Sequence, residues 1–396
     1  MESHDTVAPL NESPAKTFSH RGKIIGGAIV LGLIVIAFWA TGLGRKLVQQ
    51  AKYAGRRATF SGDSQKLKQT VIVPTLDSPC PPGKNVIWCS SFQLAWNEVK
   101  DNVIHAPLQV IGAEEIAARL NAARQSSSDL DPKSFYVAGG WIKDGVVDKI
   151  RKDMAVKFPS HPLPDFNDYD DGILAYSYLN ANVPFKYPFR QVHQGFTFTS
   201  SQGAKADVEA FGVWEAYQGR YKRMREQVQV LYCRSGTHPW EVVGYALDLC
   251  GYSQPYQLVV AVTEPRSSLA ETIEHLRLQI DQYEKSGHHR TASQLGENEA
   301  LRVPEMVWRI DHRFTELIGE RLANIGGPIT EAMETVEFRL DRSGATVESE
   351  ALLATKAAAL MHFVFDRPFL VYMQKRGAEQ PFFVMWVDNA ELLVRR

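Results

Sequence analysis

The chain has 396 residues, of which 44% are hydrophobic and 22% are charged. This balance is typical of a folded globular protein and excludes wholesale disorder or a fibrous repeat. The formal net charge is -1, and basic residues are interleaved with acidic ones over most of the chain, so no overall field attracts nucleic acid. We therefore expect no nucleic-acid partner.

The N-terminus combines a polar tail with an apolar segment. Residues 1–23 are polar and predict a disordered tail. The next twenty residues begin at Ile24, end at Leu43 and contain no charged side chain, and about twenty helical residues span a hydrocarbon core. Trp39 lies near one end, where an indole favours the interface. The segment predicts one transmembrane helix, and a cleaved signal peptide, whose apolar region would be shorter, is the main alternative.

Basic residues flank this segment on both sides, and more of them follow it than precede it. The positive-inside rule therefore favours a cytoplasmic domain. Large domains cross membranes regardless of nearby charge, so the side on which the domain lies stays open. The sequence thus predicts a single-pass membrane protein.

Residues 44–69 carry spaced basic and small residues and predict a juxtamembrane linker, whereas residues 70–396 predict one folded domain. The first part of this domain shows the spacing of amphipathic helices. Three stretches carry it: residues 88–99, where Trp88, Phe92, Leu94, Ala95 and Val99 share one face, residues 114–123, and residues 141–158 after Gly139 and Gly140.

Later stretches favour strands. Residues 173–179 form an apolar run of strand length. A Ser-Ser-Gln-Gly turn at 200–203, flanked by apolar residues, predicts a hairpin. Val336, Phe338 and Leu340 alternate with charged residues, as in a half-buried strand. Strands are also predicted at 228–232, 258–262, 369–373 and 382–387, with a helix at 269–283. Helices first and strands later, without strict alternation, predict an α+β fold.

The four cysteines fall into two local pairs, Cys80 with Cys89 and Cys233 with Cys250. Neither pair has the spacing of a zinc knuckle. Two local disulfides in an oxidising compartment and four reduced thiols both fit this pattern.

The sequence lacks the familiar catalytic motifs. It has no G-x-S-x-G elbow, no H-E-x-x-H, no phosphate-binding loop and no dinucleotide-binding glycine pattern after a strand. We therefore predict that the protein is not an enzyme, and we expect no cofactor and no metal.

The C-terminal third carries motifs in a specific order. Gly344 is followed by small and polar residues, then by a stretch that ends at a Pro-Phe-Leu signature. This order resembles the hinge, reactive loop and signature of the serpin family. The signature is matched by Phe365, Pro368, Phe369 and Leu370. Weaker matches upstream keep the family's order over residues 85–92, 174–189 and 307–326, so the resemblance covers most of the chain from residue 71 onward.

The resemblance implies a serpin-like α+β fold with three sheets, about nine helices and an exposed reactive loop, here preceded by the transmembrane helix. In the family, this loop is bait for a protease and inserts into the main sheet after cleavage. The hinge would comprise Gly344, Ala345, Thr346, Val347, Glu348, Ser349 and Glu350. Insertion needs small residues on the inward face, and the alternate residues Ala345, Val347, Ser349 and Ala351 are small or moderate.

The hinge also departs from the family pattern. Inhibitory members carry a run of alanines where this chain has Val347, Glu348, Ser349 and Glu350, and charged residues with low β-propensity would slow insertion. Counting from the hinge places the scissile bond near Ala357 and Ala358, which suits a protease that prefers small residues. Lys356 makes a trypsin-like protease an alternative, and a plain loop or helix over 351–361 is another.

Three functions remain open at this point. The first is a membrane-anchored, monomeric inhibitor that acts as a suicide substrate for a target serine protease. The alternative is a non-inhibitory serpin-like scaffold that binds a partner, which the two hinge glutamates favour. An enzyme with an unfamiliar site is the third.

Overall fold

The structure is a computed structural model. It describes residues 58–159, 161, 163, 166, 172–181, 183–192, 195–214, 221–238, 241–286, 293–342 and 361–396. All of these residues belong to one unit of the chain, residues 57–396.

Five α-helices and twenty-one strands lie within the described residues. The helices are α1 Ser90–Glu98, α2 Glu114–Ala122, α3 Val146–Lys157, α4 Lys222–Glu226 and α5 Leu269–Lys285. The first ten strands are β1 Phe60–Asp63, β2 Thr70–Ile72, β3 Asn85–Cys89, β4 Val110–Ile111, β5 Phe135–Trp141, β6 Ile173–Leu179, β7 Arg190–Gln191, β8 Phe196–Thr199, β9 Lys205–Val208 and β10 Ala210–Val213. The others are β11 Gln229–Ser235, β12 Val242–Asp248, β13 Tyr256–Val262, β14 Glu299–Pro304, β15 Met306–Arg313, β16 Arg321–Leu322, β17 Gly327–Pro328, β18 Met333–Leu340, β19 Met361–Val364, β20 Phe369–Lys375 and β21 Phe383–Val387.

The largest sheet has seven strands in the order β11-β12-β13-β20-β21-β3-β2. Its central strands are buried on both faces and are almost continuously apolar, as β21 illustrates. One face packs against α5 through a cluster that includes Trp88, Leu269 and Trp386. The other face lies against β15 and β18, where Phe338 stacks on Phe383 with ring centroids 4.5 Å apart. The sheet is therefore the centre of the molecule.

A second sheet of four strands has the order β19-β14-β10-β7. Gly212 lies where β10 approaches β14 so closely that a Cβ atom there would be 1.9 Å from the carbonyl oxygen of Leu301. Only glycine fits such an approach, so this position fixes the spacing of the two strands.

A three-stranded sheet and a two-stranded ribbon lie outside these two sheets. Strands β1, β15 and β18 form one sheet, and β5 pairs with β6 in a separate antiparallel ribbon. Helix α3 covers this ribbon through Val146, Ile150 and Met154, which form an apolar cluster of their own with Tyr136 and Ala138. The remaining sheets are β17-β16-β4 and the hairpin β8-β9.

Several sequence predictions are confirmed element by element. The strand at 173–179, the hairpin across 200–203 and the strand through Val336, Phe338 and Leu340 are all present. The helix predicted at 269–283 is α5, and it begins after Ser268, whose hydroxyl accepts a hydrogen bond from the amide of Glu271 at 3.2 Å.

Other predictions are wrong in detail. Trp88 belongs to strand β3 rather than to a helix, because β3 is buried between β2 and β21 and tertiary pairing overrides the helical spacing. The helix expected from residue 141 begins at Val146, since Gly139, Gly140 and Trp141 end strand β5. Asp341, one of the charged residues predicted to alternate with Val336, Phe338 and Leu340, is 3% exposed and accepts a hydrogen bond from Arg339 Nε at 2.6 Å. Within the described residues there are five α-helices, where the resemblance implied about nine.

Ordered structure also extends into the region expected to be a linker. Strand β1 runs parallel to β15, with Phe60 opposite Trp308. The tail predicted at residues 1–23 lies outside the described residues.

The predicted single-pass membrane localisation is contradicted by the described structure. No helix in the described part of the chain is long and apolar enough to cross a membrane. The longest of these helices, Leu269–Lys285, has 17 residues and carries charged side chains along its length. Residues 24–43, for which the sequence predicts the membrane helix, lie outside the described residues.

All four cysteines are free thiols, which is one of the two alternatives that the sequence left open. Cys89 and Cys250 are buried. Burial raises the pKa of Cys80 to about 11 and that of Cys89 to about 12, and it also raises the pKa of Cys250. These three thiols are therefore protonated at neutral pH and are poor nucleophiles.

Candidate functional site

Two strands present free edges to the same cavity. Strand β6 is paired only with β5, and β18 only with β15, among the strands that the structure describes. A cavity of about 670 Å³ is lined by residues 174–179 of β6 and 333–338 of β18. We call this cavity the β6–β18 groove. Its walls are two rows of backbone N–H and C=O groups, which is the template that an added strand requires.

The N-terminus of helix α1 forms part of the lining of the groove. Cys89, Ser91, Phe92 and Ala95 line it together with Phe338, Phe382 and Phe383. Helix α1 follows β3 directly, so the position of this helix end is fixed by the large sheet. An inserted strand would therefore pack its inward face on an apolar surface with a few polar groups.

One of those polar groups is a buried carboxyl, Glu334 of β18, which is 5% exposed. Its Oε1 atom accepts hydrogen bonds from the hydroxyl of Ser91 and from the amide of Phe92, the latter at 3.2 Å. Its Oε2 atom has no hydrogen-bond partner within the described structure. Burial raises the pKa of Glu334 from 4.5 to about 7, and hydrogen bonds from Ser91, from the Phe92 amide and from the Cys89 thiol reduce this rise.

A histidine lies directly across the strand pair from this carboxyl. His312 of β15 is in register with Glu334, and its Nδ1 atom is 2.8 Å from the hydroxyl of Ser64. Burial lowers the pKa of His312 to about 4, so the imidazole is neutral at physiological pH. Ser177 of β6 also lines the groove, and its buried hydroxyl has no hydrogen-bond partner in the described residues.

Aromatic side chains line the groove on the side of β6. His161 stacks on Tyr178 of β6 with ring centroids 3.9 Å apart, and Phe158 meets the same ring edge-on at 4.8 Å. Phe166 packs edge-on against Tyr176 at 5.7 Å. Tyr176 and Tyr178 belong to β6, and Phe158 and Phe166 pack with them against the apolar cluster of α3, so the wall formed by β6 has its own apolar support.

The two strands that flank the predicted reactive loop belong to different sheets, and of the two only β18 lines the groove. Strand β18 ends at Leu340, opposite Met306 of β15. Strand β19 begins at Met361, opposite Glu299 of β14. The predicted hinge residues Gly344, Ala345, Thr346, Val347, Glu348, Ser349 and Glu350 and the candidate scissile residues Lys356, Ala357 and Ala358 all lie outside the described residues.

The signature residues are described, and they form core rather than surface. Phe365, Phe369 and Leu370 are each 0% exposed, and Pro368 is half-buried. The Phe365 ring lies 5.3 Å from that of Phe369 and 5.1 Å from that of Tyr245. These residues hold the start of β20 in the large sheet and do not bring a functional group to the groove.

Asn85, which opens the upstream region of resemblance, is a buried connector. Its side-chain amide donates to Thr70 Oγ1 at 3.1 Å and to Asn389 Oδ1 at 2.9 Å. The side-chain oxygen Oδ1 of Asn85 accepts hydrogen bonds from the backbone amides of Asp388 and Asn389. Asn85 thus ties β3 to the C-terminal segment, and through β3 it supports the helix end in the groove.

Sequence reasoning missed Glu334 and the groove. A signal for Glu334 was present, because it continues the alternation of Val336, Phe338 and Leu340 towards the N-terminus and so falls on the buried face. Histidine, cysteine, aspartate and glutamate side chains form no group that could hold a metal ion in the described ranges.

Comparisons with known proteins identify structural relatives only. No protein-family model matches the sequence, and no curated protein matches it. The structure is similar to thyroxine-binding globulin in complex with thyroxine, with a TM-score of 0.45 and 11% identity over 78% of this chain and 93% of that one. It is also similar to native protease nexin-1 with heparin, with a TM-score of 0.43 and 11% identity over 77% and 92% of the two chains. A third similar structure is human glycosylated kallistatin, with a TM-score of 0.43 and 14% identity over 78% and 92%. All three are serpins, the family that the sequence resembles. The likeness is one of fold, and nothing about activity follows from it.

Proposed function

We propose that this protein is a serpin-like protease inhibitor whose segment 343–360 is the bait and whose β6–β18 groove receives that segment after cleavage. The observation that carries the proposal is the groove itself, which has two free strand edges and lies next to the end of β18, from which the segment leaves. The protein is then a substrate and a trap rather than an enzyme, acts as a monomer and needs no cofactor.

The covalent step in this proposal belongs to the target serine protease. Its serine oxygen attacks the carbonyl carbon of the scissile bond, the C–N bond breaks, and the serine proton passes through the protease's base to the departing amine. The resulting ester remains until water attacks it. Strand addition to the groove must come first, since it pulls the attached protease away before hydrolysis.

After cleavage, addition of the segment to the groove as a strand is energetically favourable. A strand that enters the groove satisfies the edge groups of both β6 and β18 and covers apolar side chains on the floor. The candidate inward residues Ala345, Val347, Ser349 and Ala351 are small or moderate in size, which suits a packed floor.

A non-inhibitory scaffold is the second candidate, and Glu348 and Glu350 of the hinge favour it. Their charge and low β-propensity slow addition, and an acyl-enzyme hydrolyses when addition is slow. Such a protein would be cleaved without retaining the protease.

Incubating the full-length chain with an elastase-like or a trypsin-like protease tests the proposal. We expect a covalent band on denaturing gels and a rise in the melting temperature of the cleaved protein. The variant Ala345→Arg places a long charged side chain on the inward face and should abolish both effects, whereas Thr346→Arg, one residue on, faces outward and should preserve them.

The outcomes separate the two candidates. Cleavage with an unchanged melting temperature contradicts the inhibitor proposal and leaves the scaffold. A raised melting temperature without a covalent band shows that the strand enters too slowly to trap, which also favours the scaffold.

A further inference from the structure

Strand β5 has a side that no described strand covers. β5 pairs with β6 on one side only, and the β6–β18 groove lies beyond β6, so the second side of β5 faces away from the groove. We call this second side the β5 edge. The strand, Phe135–Trp141, contains no charged residue and no proline. Natural proteins usually blunt a free edge with such residues, so an uncharged edge of this length is a template for an added strand.

The hydrogen bonds of the β5-β6 ribbon show which groups the β5 edge presents. Asn180 donates its amide to the carbonyl of Ser134 at 2.7 Å, and Ile142 donates its amide to the carbonyl of Gly172 at 2.9 Å. Bonded pairs alternate with non-bonded pairs along an antiparallel ladder. The residues whose amides and carbonyls point away from β6 are therefore Phe135, Val137, Gly139 and Trp141. All four are half-buried, so solvent reaches the edge.

One of these outward groups is covered by a side chain from the end of α1. The amide of Gly139 donates to Glu98 Oε1 at 3.3 Å, and Asn102 Nδ2 donates to the other carboxylate oxygen at 2.6 Å. A Cβ atom at position 139 would lie 2.9 Å from Glu98 Cγ, so glycine leaves room for this side chain. The other outward amides and carbonyls of the β5 edge have no hydrogen-bond partner in the described ranges. Glu98 thus covers the edge at its middle and leaves the rest open.

Two lysines lie at the ends of the β5 edge. Lys157 Nζ is 5.3 Å from the ring centroid of Phe135, and Lys143 Nζ is 5.4 Å from that of Trp141. Both lysines are exposed, and neither forms an ion pair with a carboxylate that the structure describes. Each end of the edge therefore carries a positive charge that is not neutralised.

We propose that the β5 edge binds an extended acidic segment of a partner protein, which adds to β5 as a third strand of the ribbon. This inference goes beyond the function proposed above and does not depend on it. The added strand would satisfy the outward amides and carbonyls. Acidic residues six positions apart in it, about 20 Å along a strand, would meet the two lysines.

A second copy of this chain fits the β5 edge less well. Antiparallel pairing of two such edges, with all the outward groups bonded, places Phe135 opposite Trp141 of the other copy. Lys157 of one copy would then lie near Lys143 of the other at both ends of the new ladder. Like charges at opposed positions are destabilising, whereas an acidic segment turns the same lysines into favourable contacts.

The test measures binding of a fluorescein-labelled peptide to the full-length chain by fluorescence anisotropy. The probe is Glu-Thr-Val-Thr-Val-Thr-Glu with blocked ends, and its matched control is Lys-Thr-Val-Thr-Val-Thr-Lys. We expect the acidic peptide to bind, the basic peptide not to bind, and added salt to weaken the binding. N-methylation of the acidic peptide at the residues that face β5 should abolish binding, because it removes the amide donors of the ladder.

Variants of the chain then locate the peptide. Val137→Pro removes one outward amide without touching the β5-β6 ladder and should weaken binding about fivefold or more, as expected for one hydrogen bond. Val137→Thr keeps the amide and should bind as the wild type does. Lys143→Glu combined with Lys157→Glu should reverse the preference between the two peptides. Glu98→Ala uncovers the amide of Gly139 and removes a like charge, so it should tighten binding, which a folding defect would not do.

Three results would overturn the inference. The first is equal binding of the acidic and the basic peptide. The second is binding that neither Val137→Pro nor Glu98→Ala changes, since the peptide then lies elsewhere, as in the β6–β18 groove. The third is a dimer of the chain alone, seen on size exclusion, that Val137→Pro dissociates, because a second copy then occupies the edge. Failure of the protease experiment described above would leave this inference intact.

Discussion

Replacing Phe369 with alanine is expected to lower the free energy of unfolding by about 3–5 kcal/mol, the range for removing a large aromatic side chain from a core. Phe369 is 0% exposed and begins β20, opposite Val387 of β21. Its ring lies 5.3 Å from that of Phe365 and 6.3 Å from that of Phe198. The substitution therefore opens a cavity between the large sheet and the β8-β9 hairpin. Urea unfolding followed by tryptophan fluorescence measures the loss.

Arg367→Ala is the matched control, because it alters the same segment on its exposed side. The Arg367 guanidinium is exposed and donates hydrogen bonds to the carbonyl of Val242, at 3.2 Å, and to the hydroxyl of Tyr245, so its loss should cost about 1 kcal/mol, less than the loss of the Phe369 ring. Equal losses for the two variants would contradict the core role that the structure gives to the signature phenylalanine.

The second large effect is on the pH dependence of stability of the uncleaved chain. Glu334 binds a proton with a pKa of about 7 in the folded chain and with its ordinary value of 4.5 in the unfolded chain. Because the folded pKa is the higher one, the stabilising contribution is complete below pH 4.5 and is lost as the pH rises through 7. The loss is about 3 kcal/mol between pH 4 and 8. Thermal or urea unfolding across this range should show stability falling as the pH rises.

Comparison with Glu334→Gln isolates this term from the other titrating groups. The difference in unfolding free energy between the wild type and Glu334→Gln should shift by about 3 kcal/mol between pH 4 and 8 in favour of the variant. The corresponding difference for Glu337→Gln should stay constant within about 0.5 kcal/mol, as for a surface change. A constant difference for Glu334→Gln would show that this carboxyl has the same pKa in the folded and the unfolded chain.

Local patterns predicted the strands that have one apolar face. In β18 the residues Val336, Phe338 and Leu340 are buried and the residues between them are exposed, which is the period of a strand. The β8-β9 hairpin followed from its turn residues in the same way. The prediction was wrong at β3. This strand is fully buried, so apolar and polar residues do not alternate in it, and Trp88 fitted the helical spacing of the residues that follow.

The groove could not be predicted from the spacing of hydrophobic residues, because it forms where two strands do not pair. β6 and β18 are far apart in sequence, and the sequence of neither strand shows that one of its edges is unpaired. The resemblance supplied the order of the hinge and the signature. It did not reveal that β18 carries a buried acid or that Ser91 and Phe92 of α1 contact it.

The place of β20 and β21 in the large sheet has a consequence for any chain that is cut between residues 343 and 360. Both strands lie inside the sheet, with β13 on one side and β3 on the other, yet both come from the piece that follows the cut. The two pieces would therefore stay together as a non-covalent heterodimer and elute as one particle on size exclusion. The C-terminal peptide contributes two inner strands to the large sheet, as a separate subunit would. N- and C-terminal fragments produced separately should therefore reassemble by complementation.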